Sequence, residues 1–385
     1  MARAGEPPGP FASNRKKLEA LMEEAGLEAL VLAGKPNMVY ATGIREPSGA
    51  VVLSHKCGNT LIAPLLDYSR IAYHAPKEFD VKAAYRGGEE PIKADMPRNS
   101  IVHASPLKAA FDLLKSCLGS TSKVGLDLDW TTHQVTRDLA GVEYVDFSDT
   151  LRKARSIKSP EEIDAIVEAQ RIAEKALSRV LGSLREGFSE AEGVSEIVRE
   201  VLALGGWDTA FPPIVAFYEN TAFPHHTSGQ IALSKPGPVL VDLGAIYKGY
   251  HSDMTRTTWW GRGDGAAKSF KEKLETVLEA MLEAIDTVRP GVKVWEVDKA
   301  ARQRLAKEGL DKYFIHGLGH GVGLEIHETP YLRPGSREEL DKGMVITIEP
   351  GIYIAGLYGI RIEDLVLVTE RGRKILTTYS RLIET

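Results

Sequence analysis

The sequence is short of several residue types, and each shortage removes a class of explanation. Its 385 residues include two cysteines, Cys57 and Cys117, too few for a disulfide framework or a cysteine-rich zinc site. No segment approaches ~18 uninterrupted apolar residues, and the opening MARAGEPPGPF lacks the apolar core of a secretory leader. The expectation is a soluble, cytoplasmic protein with no membrane partner. Positive charge is not in excess either. Lys and Arg number 48 against 53 Asp and Glu, a net charge of −5, so the footprint of a nucleic-acid binder is missing. Four Gln and five Asn are few thermolabile residues for this length, a composition seen in thermophiles.

What is present is ordinary core-forming material, 43% hydrophobic and 26% charged, and the length fits two domains. Residues 1–11 are rich in Gly and Pro and read as a flexible arm. NRKKLEALMEEAGL follows as an amphipathic helix. LEALVLAG, GAVVLS, TLIAPLL, RIAYH, KVGLDLD and VEYVDFS then read as strands, with PLKAAFDLLKSCLG as a helix between them. Alternation of this kind predicts a small α/β domain over 12–155. The second domain, 156–385, opens where Ser159 caps a helix with Pro160 in its first turn and Glu162 closing a capping box. Ser189 and Glu192 form a second such box, and further helices are expected over about 266–288 and 294–308.

The second domain repeats itself at an offset of 104 residues. Arg185, Gly187, Glu192, Val201 and Gly205 align with Arg289, Gly291, Glu296, Leu305 and Gly309. Each helix pair is followed by strands carrying carboxylates. Two facing halves of this kind place a site at their junction.

The carboxylates are the most informative residues. In VLVDLGAIYKGYHSDMTRT, Asp242 and Asp253 flank a tight turn, and a register in which paired numbers sum to 495 makes them direct cross-strand partners. In ITIEPGIYIAGLYGIRIEDLVLVT, Glu349 and Glu363 are symmetric about Gly356, so a three- or five-residue loop opposes them. Four carboxylates in apolar strands cost too much to bury together without a metal or protonation. Between the hairpins lies FIHGLGHGVGLEIHE, whose glycines exclude a stable helix and allow close backbone approach. Six of the ten histidines, counting His251, fall within 225–327. His320, set among glycines, reads as a ligand, whereas His226 and His251 read as structural. One imidazole with four carboxylates suits a dinuclear site for Mn, Co, Fe or Zn.

With these stretches the sequence resembles the pita-bread metallopeptidases, the family of methionine aminopeptidase, aminopeptidase P and prolidase. The resemblance covers 156–385, and the first domain, through NMVYATGI, resembles that of the prolidase and aminopeptidase P branch. It implies an α+β architecture: a pita-bread domain with pseudo-two-fold halves behind a smaller α/β domain. It also implies two divalent ions per subunit, Mn or Co first and Zn or Fe next, held by Asp242, Asp253, His320, Glu349 and Glu363. Asp253 and Glu363 would bridge the ions, and a bridging hydroxide would attack the peptide carbonyl. Glu349 would shuttle the proton, His225 and His327 would polarise the carbonyl, and Arg361 and Tyr353 would line the pocket, with Thr347 and His316 behind.

The implied reaction is hydrolysis of Xaa-Pro bonds in di- or oligopeptides by a homodimer. Xaa-Pro dipeptidase is the first reading and Xaa-Pro aminopeptidase the second. A creatinase-like hydrolase and an inactive peptide-binding module follow behind, since both lose ligands that this chain keeps. Archaeal-type prolidases often carry an arginine just after the HE of EIHE. Here HETPYLRPG has Tyr331 near that place and Arg333 two residues later.

Overall fold

The computed structural model describes residues 9–87, 100–119, 122–130, 143–263 and 265–383, and the chain divides into two compact units, Met1–Ala154 and Arg155–Thr385. No described helix is long and apolar enough to cross a membrane.

The first unit is a seven-stranded mixed sheet. Asn59–Pro64 pairs in parallel with Phe79–Ala84 and antiparallel with Ala50–Leu53; Ala29–Leu32 joins that strand to Lys123–Leu126. Ala29–Leu32 and Ala50–Leu53 are buried at every position, as strands covered on both faces should be. Three local expectations change. Most of the arm expected over 1–11 lies outside the described residues, but Phe11 is fully buried and opens the helix Phe11–Glu24. RIAYH is not a strand: Tyr68–His74 is helical, and its one buried residue, Ile71, stands four before the buried Ala75 that follows the helix, a helical spacing rather than an alternating one. The strand Phe79–Ala84 carries the alternation instead, with Phe79, Val81 and Ala83 buried. The two cysteines, too few for a framework, form one bridge: Cys57, in the turn after Ala50–Leu53, is bonded to Cys117 at the end of helix Pro106–Cys117.

The second unit is built on two helix pairs. Pro160–Ser183 and Glu190–Ala203 form the first, Gly265–Thr287 and Val294–Lys307 the second. The shorter helices lie 104 residues apart at both ends (190 to 294 and 203 to 307), matching the sequence repeat. Gly187 and Gly291 occupy the same left-handed conformation, with φ of 82° and 80°. Both predicted capping boxes form, on Ser159 with Glu162 and on Ser189 with Glu192. The first pair packs on the sheet Ile214–Phe217, Gly237–Leu243 and Met254–Trp260, the second on a five-stranded sheet centred on Val345–Ile348.

The first carboxylate hairpin is out of the expected register by two. Asp242 faces Thr255, not Asp253, and the paired numbers sum to 497. A two-residue turn causes the shift, since Lys248 and Gly249 both have positive φ, 49° and 83°, and pin Tyr247 opposite Tyr250. A slip of two leaves every side chain on its face. Asp253 therefore stays on the face of Asp242 but moves to the diagonal. The second hairpin has the expected register, with pairs from Val345–Leu367 to Ile354–Tyr358 symmetric about Gly356. Its ladder opens at Glu349 and Glu363, whose N–H groups turn away to Leu318 O (2.9 Å) and Thr255 O (3.1 Å).

Buried ion pairs lock this frame. Arg256 is fully buried and donates to Thr255 O (2.9 Å), Glu363 O (2.6 Å) and Asp364 Oδ1 (2.8 Å), tying one hairpin to the other. Replacing it by Met leaves Asp364 with Arg381 as its remaining cation and removes a donor from four carbonyls, those of Thr255, Glu363, Tyr379 and Ser380. Arg256→Met is expected to lower unfolding free energy by about 3–5 kcal/mol in a urea titration; a change under 1 kcal/mol would dismiss the lock. Arg155 and Lys158 enclose the buried Glu328. Burial alone would raise that carboxyl, but the two cations outweigh it and hold it at about 2, below the ordinary 4.5. A depressed carboxyl stabilises above its unfolded value and loses that contribution as pH falls from 4.5 through about 2, on the order of 3 kcal/mol in all. Urea unfolding of wild type and Glu328→Gln at pH 7 and pH 3 should show their difference shrinking at the lower pH; a constant difference would contradict the pairing.

Candidate metal centre

The two hairpins and the glycine-rich segment meet in a cleft of about 510 Å³ within the second unit. Asp242, Asp253, His320, Glu349, Glu363, Arg361, His225, His327 and His316 all line it. The sequence-predicted residues thus come together from strands 121 positions apart (363 minus 242). Asp253, His320 and Glu363 each offer a ligand atom, and those atoms lie within 4.8 Å of one another. His320 Nε2 is 3.4 Å from Glu349 Oε1 and 3.6 Å from Asp253 Oδ2.

Each side chain is aimed by its backbone. His320 sits in the short strand Gly319–Gly321, and its Nδ1 lies 3.0 Å from Gly321 O. A carbonyl accepts only, so Nδ1 carries the proton and the Nε2 lone pair faces the carboxylates. Burial lowers its pKa to about 3, with His327 assisting, so the ring is neutral. The flanking glycines are required: a Cβ on Gly319 would lie 2.1 Å from Thr347 O, and one on Gly321 2.3 Å from Thr329 O. Thr347 Oγ1 accepts from His320 N at 3.0 Å and lies 3.2 Å from Glu349 Oε1, so one hydroxyl orients both residues.

Arg361 is the cation of the cluster. It donates to Asp242 Oδ2 (2.5 Å), Tyr353 OH (2.6 Å) and Thr255 Oγ1 (3.0 Å). Thr255 in turn donates to Glu363 Oε2 (2.7 Å), so Arg361 reaches Glu363 only through that hydroxyl. Thr255, opposite Asp242 in the true register, is a site residue that sequence reasoning missed; only the type of the turn could have exposed it. His316 Nε2 meets Tyr353 OH at 3.0 Å, and burial, with Arg361 nearby, lowers its pKa to about 4. Tyr353 is buried behind the cleft wall rather than in it. His327 stands edge-on to His320, ring centres 4.3 Å apart.

The electrostatics call for cations. Four carboxylates face one guanidinium, −4 + 1 = −3 if all ionise. Burial and mutual repulsion raise Asp253 and Glu363 well above the usual carboxylate range, and burial lifts Glu349 to about 8. Asp242 Oδ1 and Glu363 Oε1 are buried without a hydrogen-bond partner. Unpartnered carboxylate oxygens beside a neutral imidazole lone pair are a donor set suited to divalent ions.

Comparison with known proteins agrees with this geometry. Residues 164–370 match Metallopeptidase family M24, and residues 14–157 match the Creatinase/Prolidase N-terminal domain. The chain is 33% identical to the Xaa-Pro dipeptidase of Pyrococcus horikoshii over 95% of its own length and 97% of that protein's. The solved Xaa-Pro dipeptidase of Bacillus anthracis superposes with a TM-score of 0.82 at 28% identity, covering 97% of this chain and 100% of that one. The X-Pro aminopeptidase of Thermotoga maritima gives 0.84 at 25% identity, covering 96% and 98%. The chain belongs to Metallopeptidase family M24, and is a metallopeptidase of the branch that carries the creatinase/prolidase N-terminal domain.

Proposed function

We propose that the protein hydrolyses Xaa-Pro peptide bonds, as an Xaa-Pro dipeptidase, with two divalent ions held by Asp242, Asp253, His320, Glu349 and Glu363. The observation that carries the reading is the pair of buried, unpartnered oxygens, Asp242 Oδ1 and Glu363 Oε1, in a cluster rich in carboxylates. Bound ions supply Lewis acidity that activates water and polarises a carbonyl near neutral pH. Asp253 and Glu363, the most buried members of the cluster, would hold the ions together with Asp242, His320 and Glu349. His225 and His327, which both line the cleft, donate to the scissile carbonyl as charge builds on its oxygen. Glu349 hands a proton to the leaving nitrogen, which in a prolyl bond is tertiary and must receive one to depart. Arg361 and Tyr353 fix Asp242 from behind. We read the ions as Mn or Co, the compartment as the cytoplasm and the working form as a homodimer.

Arg333 favours the dipeptidase over the aminopeptidase. It lines the cleft, is exposed, and lies over the Tyr331 ring at 5.9 Å. Arg333 follows strand Glu328–Leu332 directly and its guanidinium stays beside Tyr331, so a cation sits within reach of the position where the sequence lacks one. A dipeptide brings a free carboxylate to that wall, and a longer peptide does not.

Three experiments test these statements. Asp253→Asn should load fewer than two Mn ions per chain by equilibrium dialysis and lose hydrolysis, with an unchanged circular dichroism spectrum; full activity would remove Asp253 from the ligand set. Chelator-stripped enzyme reloaded with Mn should cleave Met-Pro and spare Arg-Pro-Pro. Arg333→Ala should raise KM for Met-Pro by about tenfold, a loss of about 1.4 kcal/mol, with kcat nearly unchanged. Cleavage of Arg-Pro-Pro alone would make the protein an Xaa-Pro aminopeptidase and leave Arg333 without this role.

A further inference from the structure

Outside the ligand cluster, one fully buried acid has a set of partners that points back into the cleft. Glu190 is the first residue of helix Glu190–Ala203 and has no exposed surface. It does not cap that helix, because Ser189 and Glu192 already do. Its carboxylate instead accepts four hydrogen bonds. Oε1 takes Phe217 N (2.9 Å) and Asn220 Nδ2 (2.8 Å); Oε2 takes His226 Nε2 (2.9 Å) and Gly229 N (3.0 Å). All four donors belong to one stretch of chain, 217–229. One oxygen grips its entry and the other its exit, and the residues between include Pro224 and His225 of the cleft wall.

The backbone strengthens this grip. Glu190 N donates to Ile231 O (3.0 Å) and Ala191 N to Gly229 O (2.9 Å), so the first turn of the helix is stitched to the same segment. Phe217 N, Asn220 Nδ2 and Gly229 N are donors, and an ionised carboxylate accepts from all three; His226 completes the set in the tautomer that carries its proton on Nε2. The helix N-terminus stabilises that charge. An acid buried this deeply is costly unless every lone pair is used, and here the donors that use them build one wall of the site.

We infer that Glu190 is a positioning residue for the reaction: through Phe217, Asn220, His226 and Gly229 it holds the 217–229 segment so that His225 meets the substrate carbonyl. This rests on the reading of the cleft as the peptidase site. An amide at position 190 turns one of the two acceptor oxygens into a donor. One end of the segment is then released while the helix cap and the ligand cluster keep all their own contacts.

The test is a double-mutant cycle on the Mn-loaded, full-length protein with Met-Pro, combined with hydrogen exchange. Glu190→Gln should lower kcat/KM by about 10- to 100-fold, the range expected when a catalytic group is displaced by about 1 Å. The same substitution in a His225→Ala background should cost nothing further, because the group that Glu190 places is already gone. Amides of Phe217 and Gly229 should exchange faster in Glu190→Gln, while those of helix Pro160–Ser183 keep their wild-type rates. Multiplicative losses in the double variant, or unchanged exchange at Phe217 and Gly229, would overturn the inference. If Glu190→Gln does not fold, Asn220→Ala removes one donor only and is held to the same non-additivity with His225→Ala. If the wild-type protein binds Mn but cleaves no prolyl peptide, the proposed function fails, and the exchange rates alone decide the role of Glu190.

Discussion

Everything around the cleft is arranged by the cost of placing Asp242, Asp253, Glu349 and Glu363 together away from water. Like charges at such distances raise one another's proton affinity, and burial adds to the effect. The fold answers in two ways. One guanidinium, Arg361, is brought through the sheet to Asp242, and hydroxyls of Thr255 and Thr347 occupy one lone pair each on Glu363 and Glu349. The remaining lone pairs are left for something outside the chain. The backbone follows from the same demand. The ladder of the second hairpin opens where Glu349 and Glu363 stand, and their N–H groups bond to Leu318 and Thr255 instead. Each of these two carboxylate positions is thereby anchored on the neighbouring segment that bears another member of the cluster.

Much of this could be read from residue order, because a buried carboxylate in an apolar strand is conspicuous. Glu349 and Glu363 are symmetric in number about Gly356, and the three-residue loop found there, with Gly356 at φ of 74°, keeps that symmetry. The Asp242 hairpin came out shifted because its symmetry centre depends on turn type. Lys248 in a left-handed conformation has no signature beyond the glycine after it. The shift of two preserved the faces, so the cluster itself was still legible, while its hydroxyl partner Thr255 was not. Arg361 is a similar case. Its place two residues from Glu363 gave the face, but its bond to Asp242 crosses between hairpins, and no local pattern records such a contact.

The repeat at 104 residues was visible as spacing and became meaningful as architecture. The second helix of each pair presents a buried acid to a loop on the cleft: Glu190 to the segment bearing His225, and Asp298 to the segment bearing His316. Asp298 Oδ1 accepts from Leu318 N (3.1 Å), and Arg302, paired with Asp298, donates to Phe314 O (2.8 Å) and to His316 O. The two acids are not equivalent positions of the repeat, since 190 corresponds to 294 and Asp298 lies one turn beyond. Sequence alignment of the halves therefore passes over the correspondence. In the first unit, short apolar runs gave the sheet but not every element: RIAYH and FDVKAA differ mainly in which residues the core takes up, and periodicity over five or six residues is a weak discriminator.

Because the ladder changes partner at Glu349 and Glu363, the complete cluster is assembled from parts that are distant along the chain. Asp242 and Asp253 come from one hairpin, Glu349 and Glu363 from another, and His320 from a strand between. The single backbone link between Thr255 and Glu363 joins residues 108 apart in sequence. Contacts of that span form after the local helices and turns, since the entropy of closing so long a loop must be met first. Each hairpin can bring its own two carboxylates together early, but four carboxylates and an imidazole meet only once both halves have folded. The complete donor set is thus a property of the finished fold, to which both halves contribute.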